Sequence, residues 1–146
     1  MPAAPQDQLA ATLAERVFRR LGDGGFASGQ ALAREFGVTR SAVWKAVRVL
    51  VNAGARIEAV PNRGYRLSEG IAALDADRLV AQLPEGVQAR VARCEVAWAL
   101  PSTNAALLAA GEDPPQGRAA ILLAEHQTAG RGRRGRQWVA PLGGAV

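Results

Sequence analysis

Apolar residues recur at helical spacing near the start of the chain. Leu9, Leu13, Val17 and Leu21 lie four residues apart, and arginines occupy positions between them. This period places one apolar stripe along a helix, so the pattern predicts an amphipathic helix that ends at Gly22. Such a helix buries its stripe against neighbouring elements, which predicts a helical core here.

Two further helices are predicted after a glycine-rich turn. Ser28 can cap a short helix that runs to about Phe36 and stops at Gly37. Thr39 can cap a third helix that ends at Gly54. Its buried stripe is expected to hold Val43, Ala46, Val47 and Leu50. Two short helices joined by a tight turn, the second of them basic and polar at its N-terminal end, form the helix-turn-helix pattern.

The pattern then changes from helical spacing to alternation. Ile57 and Val60 alternate with polar residues, the sequence PNRG has turn chemistry, and Tyr65 and Leu67 resume the alternation. This predicts a β-hairpin with Arg63 at its tip. A helix-turn-helix followed by a basic hairpin is a winged helix, so residues 1–70 are predicted to form a winged helix-turn-helix DNA-binding domain.

The third helix is the candidate recognition helix. Its polar and basic positions would approach the major groove, and the hairpin arginines would approach phosphate or the minor groove. Trp44 is equally consistent with a place in the core, and the helices could instead form a protein-docking module, but the basic face favours DNA. The predicted DNA-binding residues are Arg40, Ser41, Trp44, Lys45, Arg48 and Arg63, with Arg66 nearby.

Residues 71–146 mix helical and strand patterns, which makes the whole chain α+β. Asp75 can cap a helix that stops at Pro84, with Leu79, Val80 and Leu83 buried. The segment ARVARCEVAWAL alternates as a strand that ends at Pro101. A short helix, NAALLAAG, and a second strand, RAAILLAE, follow it.

The triplet Ser102, Thr103 and Asn104 stands where the first of these strands gives way to a helix. Its hydroxyl and amide groups could bind a small polar ligand beside the free N–H groups of the helix N-terminus. Taken alone, however, a serine or threonine before a helix favours a simple cap.

Positive charge is concentrated in two places. The net charge is +5; residues 1–70 hold 10 basic and 6 acidic side chains, a net of +4, and residues 71–146 hold 8 and 7, a net of +1. Four of the latter 8 lie in the sequence QTAGRGRRGRQW, at Arg131, Arg133, Arg134 and Arg136. Basic patches of this kind indicate polyanionic partners.

The segment QTAGRGRRGRQW has the composition of an anion-binding loop. Glycines free the backbone to bend toward a ligand, and guanidinium groups close on phosphate or carboxylate. A solvated arginine-rich loop or a nucleic-acid tail is the alternative. The apolar run before the segment and Trp138 after it count against a tail.

Several other chemistries find little support. One cysteine, Cys94, excludes an internal disulfide, and with one histidine, His126, no Cys/His metal cluster is expected. His126 is interpreted as a residue at the border of the loop, without an acid or base role. No stretch has the length of a membrane span and no leader pattern is found, so a cytoplasmic protein is expected.

The sequence AEHQTAGRGRRGRQW resembles the AExQTxGRGRxGRxW signature of the biotin protein ligases, in the bifunctional form that also acts as the biotin operon repressor. The resemblance extends from about residue 10 to the end of the chain, and VPNRGYRL is similar to the wing segment of the repressor domain. It implies that residues 71–146 are the N-terminal portion of a mixed-sheet catalytic domain. Pro101 stands where the family usually has Asp.

The resemblance also implies residue roles. The Ser-Thr-Asn triplet would contact the ureido ring of biotin and Gln127 would contact biotin. Arg131 and Arg133 would be catalytic, approaching the biotin carboxylate and the adenylate phosphate, while Arg134 and Arg136 order the loop. The implied ligand-binding set is Ser102, Thr103, Asn104, Gln127, Gly130, Arg131, Gly132 and Arg133.

The implied activity has two steps. Biotin and ATP, with Mg²⁺ accompanying ATP, form biotinyl-adenylate, and a lysine of a biotin carboxyl carrier protein then accepts the biotinyl group. Operator DNA and a possible homodimer are the implied regulatory partners. No lysine follows Lys45, where the family has a catalytic one, so a truncated ligase without ligation activity is expected. The alternatives are a winged-helix regulator whose arginine loop binds nucleic acid, and an inactive gene remnant.

Overall fold

The chain folds into two compact units of helices and small sheets. The computed structural model describes residues 5–68, 71–111, 113–132, 134, 136–138 and 141–143, with the backbone alone for residues 5–11. The first unit is Met1–Ala73 together with Pro141–Val146, and the second is Leu74–Ala140. This architecture confirms the α+β class. The functional boundary after residue 70 stays a prediction.

Three helices form the body of the first unit, and local capping sets their ends. They are α1 (Pro5–Gly22), α2 (Gly29–Phe36) and α3 (Arg40–Asn52). The Ser28 hydroxyl accepts the Ala31 N–H and the Thr39 hydroxyl accepts the Ala42 N–H, as the sequence predicted. Gly37 ends α2 in the left-handed region, at φ 67°.

The core of the first unit lies between these helices. All four residues predicted for the apolar stripe of α3 are buried. They meet the buried face of α1, where Phe18 is fully enclosed. The large side chains buried most completely in this unit are Phe18, Leu21, Leu32, Leu50, Leu142, Val17 and Val43.

The predicted hairpin is present as β1 (Ile57–Val60) and β2 (Gly64–Leu67), an antiparallel pair called the wing below. Ala27 forms an isolated antiparallel bridge to the wing, because it exchanges two 2.9 Å backbone hydrogen bonds with Tyr65. The approach is so close that a Cβ atom on Gly64 would collide with the Ala27 carbonyl. Gly64 also has φ 101°, which only glycine adopts readily.

A short piece of chain after the arginine-rich segment packs in the first unit. The Leu142 N–H donates to the Ala53 carbonyl at 2.9 Å, and the Leu142 side chain is only 1% exposed. The described residues of this piece, Pro141–Gly143, form a turn that packs against the end of α3 and the core.

The second unit begins with two short helices, α4 (Ala76–Ala81) and α5 (Glu85–Gln88). Asp75 caps α4 as predicted, accepting the Arg78 N–H at 2.9 Å. The second helix was not predicted, because Pro84 was interpreted only as a stop. Proline lacks an N–H and has a fixed φ, so it is also suited to the start of a helix. The side chains predicted to be buried here, Leu79, Val80 and Leu83, are half-buried.

Two parallel strands and the helix between them follow in the second unit. They are β3 (Val91–Leu100), α6 (Thr103–Ala110) and β4 (Ala119–Gln127), with Leu100 opposite Gln127 in the register. A small antiparallel hairpin of β5 (Gly130–Arg131) and β6 (Gln137–Trp138) follows. Parallel pairing brings the carboxyl ends of β3 and β4 to one edge, beside the start of that hairpin.

Apolar side chains in the second unit are only partly covered. Within the described part of residues 74–138, those of β3, β4 and α6 are half-buried or exposed, and Leu108 is 76% exposed. Cys94 is half-buried. Among the described residues, no helix combines the length and apolar character that crossing a membrane requires.

Candidate nucleic-acid interface and ligand site

A groove of about 1030 Å³ opens in the first unit between α3, the start of α2 and the wing. Four of the predicted DNA-binding residues line it from one side, and wing residues line it from the other. Those four are Arg40, Ser41, Trp44 and Lys45. All four side chains are exposed, so a polyanion could reach them.

Trp44 lies on the surface and not in the core. Its side chain is 52% exposed, and the Arg48 guanidinium stands 5.4 Å from the centre of its ring. An exposed tryptophan is uncommon, because the indole carries a large apolar area. The core interpretation of Trp44 is therefore wrong, and the residue lines the groove; its contact with DNA stays a prediction. Arg48 is exposed beside it, next to the predicted groove residues and outside the groove lining.

The two wing arginines differ in their surroundings. Arg66 donates to Glu58, its cross-strand partner, at 2.7 Å and is half-buried. Arg63 is exposed at the turn, one residue after Asn62, which adopts a left-handed conformation at φ 63°. The Arg66 charge is thus already compensated within the wing, whereas Arg63 is presented outward.

Several groove residues were not found from the sequence. Gln30 is exposed in the first turn of α2, and Asn62 and Tyr65 belong to the wing; all three line the groove. The start of α2 was interpreted only as a capped helix. The signal that could have identified Gln30 is the role of the first helix, because that helix crosses the DNA backbone in a helix-turn-helix complex.

A second cluster of predicted site residues lies where β3 and β4 end. The Gln127 side-chain oxygen accepts the Thr103 N–H at 3.0 Å and the Thr103 hydroxyl at 3.4 Å. The Thr128 N–H donates to the Leu100 carbonyl, which ties the two strand ends together. Thr103 and Gln127, 24 residues apart in sequence, are therefore neighbours. Ligands of parallel sheets commonly bind at this end of the strands.

The other two members of the triplet have different roles. Ser102 caps α6: its hydroxyl accepts the Ala105 N–H at 3.4 Å, and the residue is 5% exposed. The cap interpretation of Ser102 is confirmed. Asn104 is exposed in the first turn of α6, where its amide is open to a ligand.

The arginine-rich segment, expected as a plain loop, is a hairpin in its described parts. Gly130 pairs with Trp138, and the Gly132 N–H donates to the Arg136 carbonyl at 2.7 Å. A Cβ atom on Gly130 would lie 2.5 Å from the Trp138 carbonyl oxygen, which explains the glycine. Arg131, Arg134 and Arg136 are exposed. The predicted catalytic residue Arg133 lies outside the described residues.

Trp138 ends this hairpin, and His126 lies in the strand before it. Trp138 is 60% exposed, so it is not a core residue of the second unit. His126 was placed at a loop border but belongs to β4, opposite Ala99. Its Nδ1 atom is buried without a hydrogen-bond partner.

Glu125 is a structural residue that the sequence analysis missed. It is buried in β4, and its carboxylate accepts the Leu74 N–H from 51 residues away. A buried carboxylate needs such partners, because burial removes its hydration. The available signal was an acidic residue at the end of an apolar run. Within the described part of the chain, no group of three or more His, Cys, Asp or Glu is placed to hold a metal ion.

Comparison with known proteins agrees with this arrangement. A family model described as "HTH domain" matches residues 12–66. The chain is 42% identical over 123 residues to "Bifunctional ligase/repressor BirA" of Salmonella typhimurium. It is 37% identical over 132 residues to the protein of that name from Escherichia coli, and 33% identical over 124 residues to that from Bacillus subtilis.

The matches cover most of this chain and a minor part of each relative. They include 84%, 90% and 83% of the chain in the order given. The chain spans 36%, 39% and 36% of the length of those relatives. The shared segment includes both the helix-turn-helix match and sequence beyond it.

Proposed function

We propose that this chain binds operator DNA with its first unit. It belongs to the family of the bifunctional ligase/repressors over the segment that it shares with them. Its second unit would supply part of a site for biotin and biotinyl-adenylate. The observation that carries the proposal is the groove between α3 and the wing, lined by exposed basic and polar side chains.

The groove matches the needs of a DNA reader. Arg40 and Lys45 can neutralise phosphates or donate to guanine, and Ser41 can donate to or accept from a base edge. Arg63 follows Pro61 and Asn62 in the wing turn; both of these line the groove, so Arg63 is next to it, although it is not itself part of the lining. DNA binding by such a surface depends strongly on salt, because cations are released from the phosphates. Two copies could read a two-fold symmetric operator.

The strand ends of the second unit support the ligand proposal. Thr103 and Gln127 orient one another, and the exposed Asn104 lies next to them. These groups can form hydrogen bonds with a compact ring that carries both N–H donors and a carbonyl acceptor. The ureido group of biotin is such a ring. Since a hydrogen bond already fixes the Gln127 oxygen, its NH₂ group is left for the ligand.

The arginine hairpin supports the nucleotide part of the proposal. Adenylation brings a carboxylate against a triphosphate, and both are anionic. Guanidinium groups near the α-phosphate would offset that repulsion and stabilise charge in the transition state. Arg131 lies in the first strand of the hairpin, three residues after Thr128, whose N–H bonds to the end of β3. We assign to Arg131 the role of stabilising this charge. The same role for Arg133 is a prediction. Mg²⁺ would arrive with ATP.

Ligation is a separate proposal. In the second step a carrier-protein lysine attacks the anhydride and displaces AMP. The only lysine of the 146 residues is Lys45, which lies on α3 in the groove. Lys45 is accordingly assigned to DNA binding and not to the transfer of biotin.

Calorimetry with biotinyl-adenylate tests the ligand site. We expect measurable binding that Arg131→Gln weakens about tenfold or more, because it removes a charge-assisted hydrogen bond to phosphate. Gln127→Ala is expected to weaken it less. Arg90→Gln, which removes an exposed arginine outside the site, is the matched control.

The alternative is a regulator whose arginine hairpin contacts nucleic acid. This alternative predicts that calorimetry detects no heat of binding when biotinyl-adenylate is added to the unmodified chain. Under that alternative, Arg131→Gln would instead weaken DNA binding and reduce its salt dependence. Equal effects of Arg131→Gln and Arg90→Gln on adenylate binding would remove the basis for the hairpin's proposed role.

A further inference from the structure

The wing of the first unit is built around one aromatic ring, that of Phe26. The Arg63 guanidinium carbon stands 4.1 Å from the centre of this ring, and that of Arg66 stands 4.8 Å from it. Both distances are within the range of a cation–π interaction. Phe26 lies outside the two strands of the wing and was not among the residues singled out from the sequence.

The backbone holds Phe26 in this position. The next residue, Ala27, forms the two-bond bridge to Tyr65 and so fixes the chain against β2. Gly64 allows the close approach, because any side chain there would collide with Ala27. The backbone beside Phe26 is therefore held against β2, close to the two wing arginines.

The two arginines on the ring have different charge environments. Glu58 compensates Arg66 through a 2.7 Å ion pair, and Arg66 is half-buried. The exposed side chain of Arg63 stacks on the ring. An aromatic face attracts a cation without neutralising it. The stacked Arg63 thus keeps its full charge while losing rotamer freedom.

We propose that Phe26 is a positioning residue that presents Arg63 as the wing's single phosphate-binding cation. The inference rests on the proposed DNA-binding function and adds a division of labour within the wing. Arg66 and Glu58 would form an internal pair that contributes no net charge to DNA binding. Phe26 would reduce the entropy cost of immobilising a long side chain on the phosphate.

A double-mutant cycle tests the role of Phe26. DNA selected from a random duplex pool by the full chain serves as the probe, and affinity is measured by fluorescence anisotropy. We expect Phe26→Leu to weaken binding about threefold to fivefold, because it keeps apolar bulk and loses the ring. In an Arg63→Gln background the same change should have no further effect. Phe26→Tyr, which keeps the ring, should retain the affinity.

Salt dependence tests the division of charge. Arg63→Gln should reduce the slope of log affinity against log salt by about 0.9, the value for one phosphate contact. The double variant Glu58→Gln with Arg66→Gln removes the ion pair without changing net charge, and it should leave the slope unchanged.

The possible outcomes separate the two levels of the proposal. If no DNA is selected, the proposed function and this inference both fail. If DNA is bound but Phe26→Leu weakens binding equally with and without Arg63, the ring has only a structural role and the inference is wrong. A slope unaffected by Arg63→Gln, or reduced by removal of the ion pair, would equally overturn it.

Discussion

Replacing Gly64 by alanine is expected to lower the free energy of unfolding by about 3 kcal/mol, with loss of the bridge that joins the wing to the segment before α2. Two causes add together. The backbone at Gly64 has φ 101°, which strains any side chain. The new Cβ would also lie 2.5 Å from the Ser28 Cα and still closer to the Ala27 carbonyl.

Gly24→Ala separates these causes. Gly24 has φ 85°, but no atom outside its immediate neighbours lies within 4 Å of a Cβ placed there. This control should cost only the backbone strain, about 1 kcal/mol. Urea unfolding followed by circular dichroism measures both variants. Equal losses would mean that the close approach of the wing is not the reason for Gly64.

The second large effect is expected at Leu142. Leu142→Ala should destabilise the first unit by about 2 to 5 kcal/mol, the usual cost of emptying a fully buried leucine site. The residue is enclosed in the core, and its N–H bonds to Ala53 at the end of α3. Hydrogen exchange of the α3 amides reports on this unit directly.

Leu108→Ala is the matched control, because it is the same change at a residue that is 76% exposed. We expect it to alter stability by less than about 0.5 kcal/mol and to leave α3 exchange unchanged. If Leu142→Ala also leaves stability and the exchange of the α3 amides unchanged, the tail does not belong to the core of the first unit.

Local signals were predictable from the sequence. A cap needs one side chain and an N–H three residues on, so Ser28, Thr39 and Asp75 were assigned correctly. The buried stripe of α3 followed from its period in the same way. The predicted DNA-binding residues of α3 were named for their chemistry, and the structure places four of them in one groove.

Contacts between distant residues could not be predicted in this way. The burial of Leu142 and the bond from Leu74 to Glu125 depend on how the chain returns on itself, and no spacing pattern records that. The ion pair of Arg66 is set by cross-strand register, which a hairpin pattern leaves open. Thr103 and Gln127 were named through a family resemblance; only the parallel register shows that they touch.

One measurement tests the central proposal, that this chain reads DNA through the groove between α3 and the wing. Two pairs of substitutions that each remove two positive charges are compared for affinity to selected duplex DNA over a range of salt. The first pair, Arg40→Gln with Lys45→Gln, alters the groove. The second pair, Arg131→Gln with Arg136→Gln, alters the arginine hairpin.

We expect the groove pair to lose at least about tenfold in affinity and to lower the salt slope by about 1.8, the loss of two phosphate contacts. The hairpin pair should bind DNA as the unmodified chain does. The opposite result, an intact affinity for the groove pair and a reduced one for the hairpin pair, would contradict the proposal and assign nucleic-acid binding to the arginine hairpin.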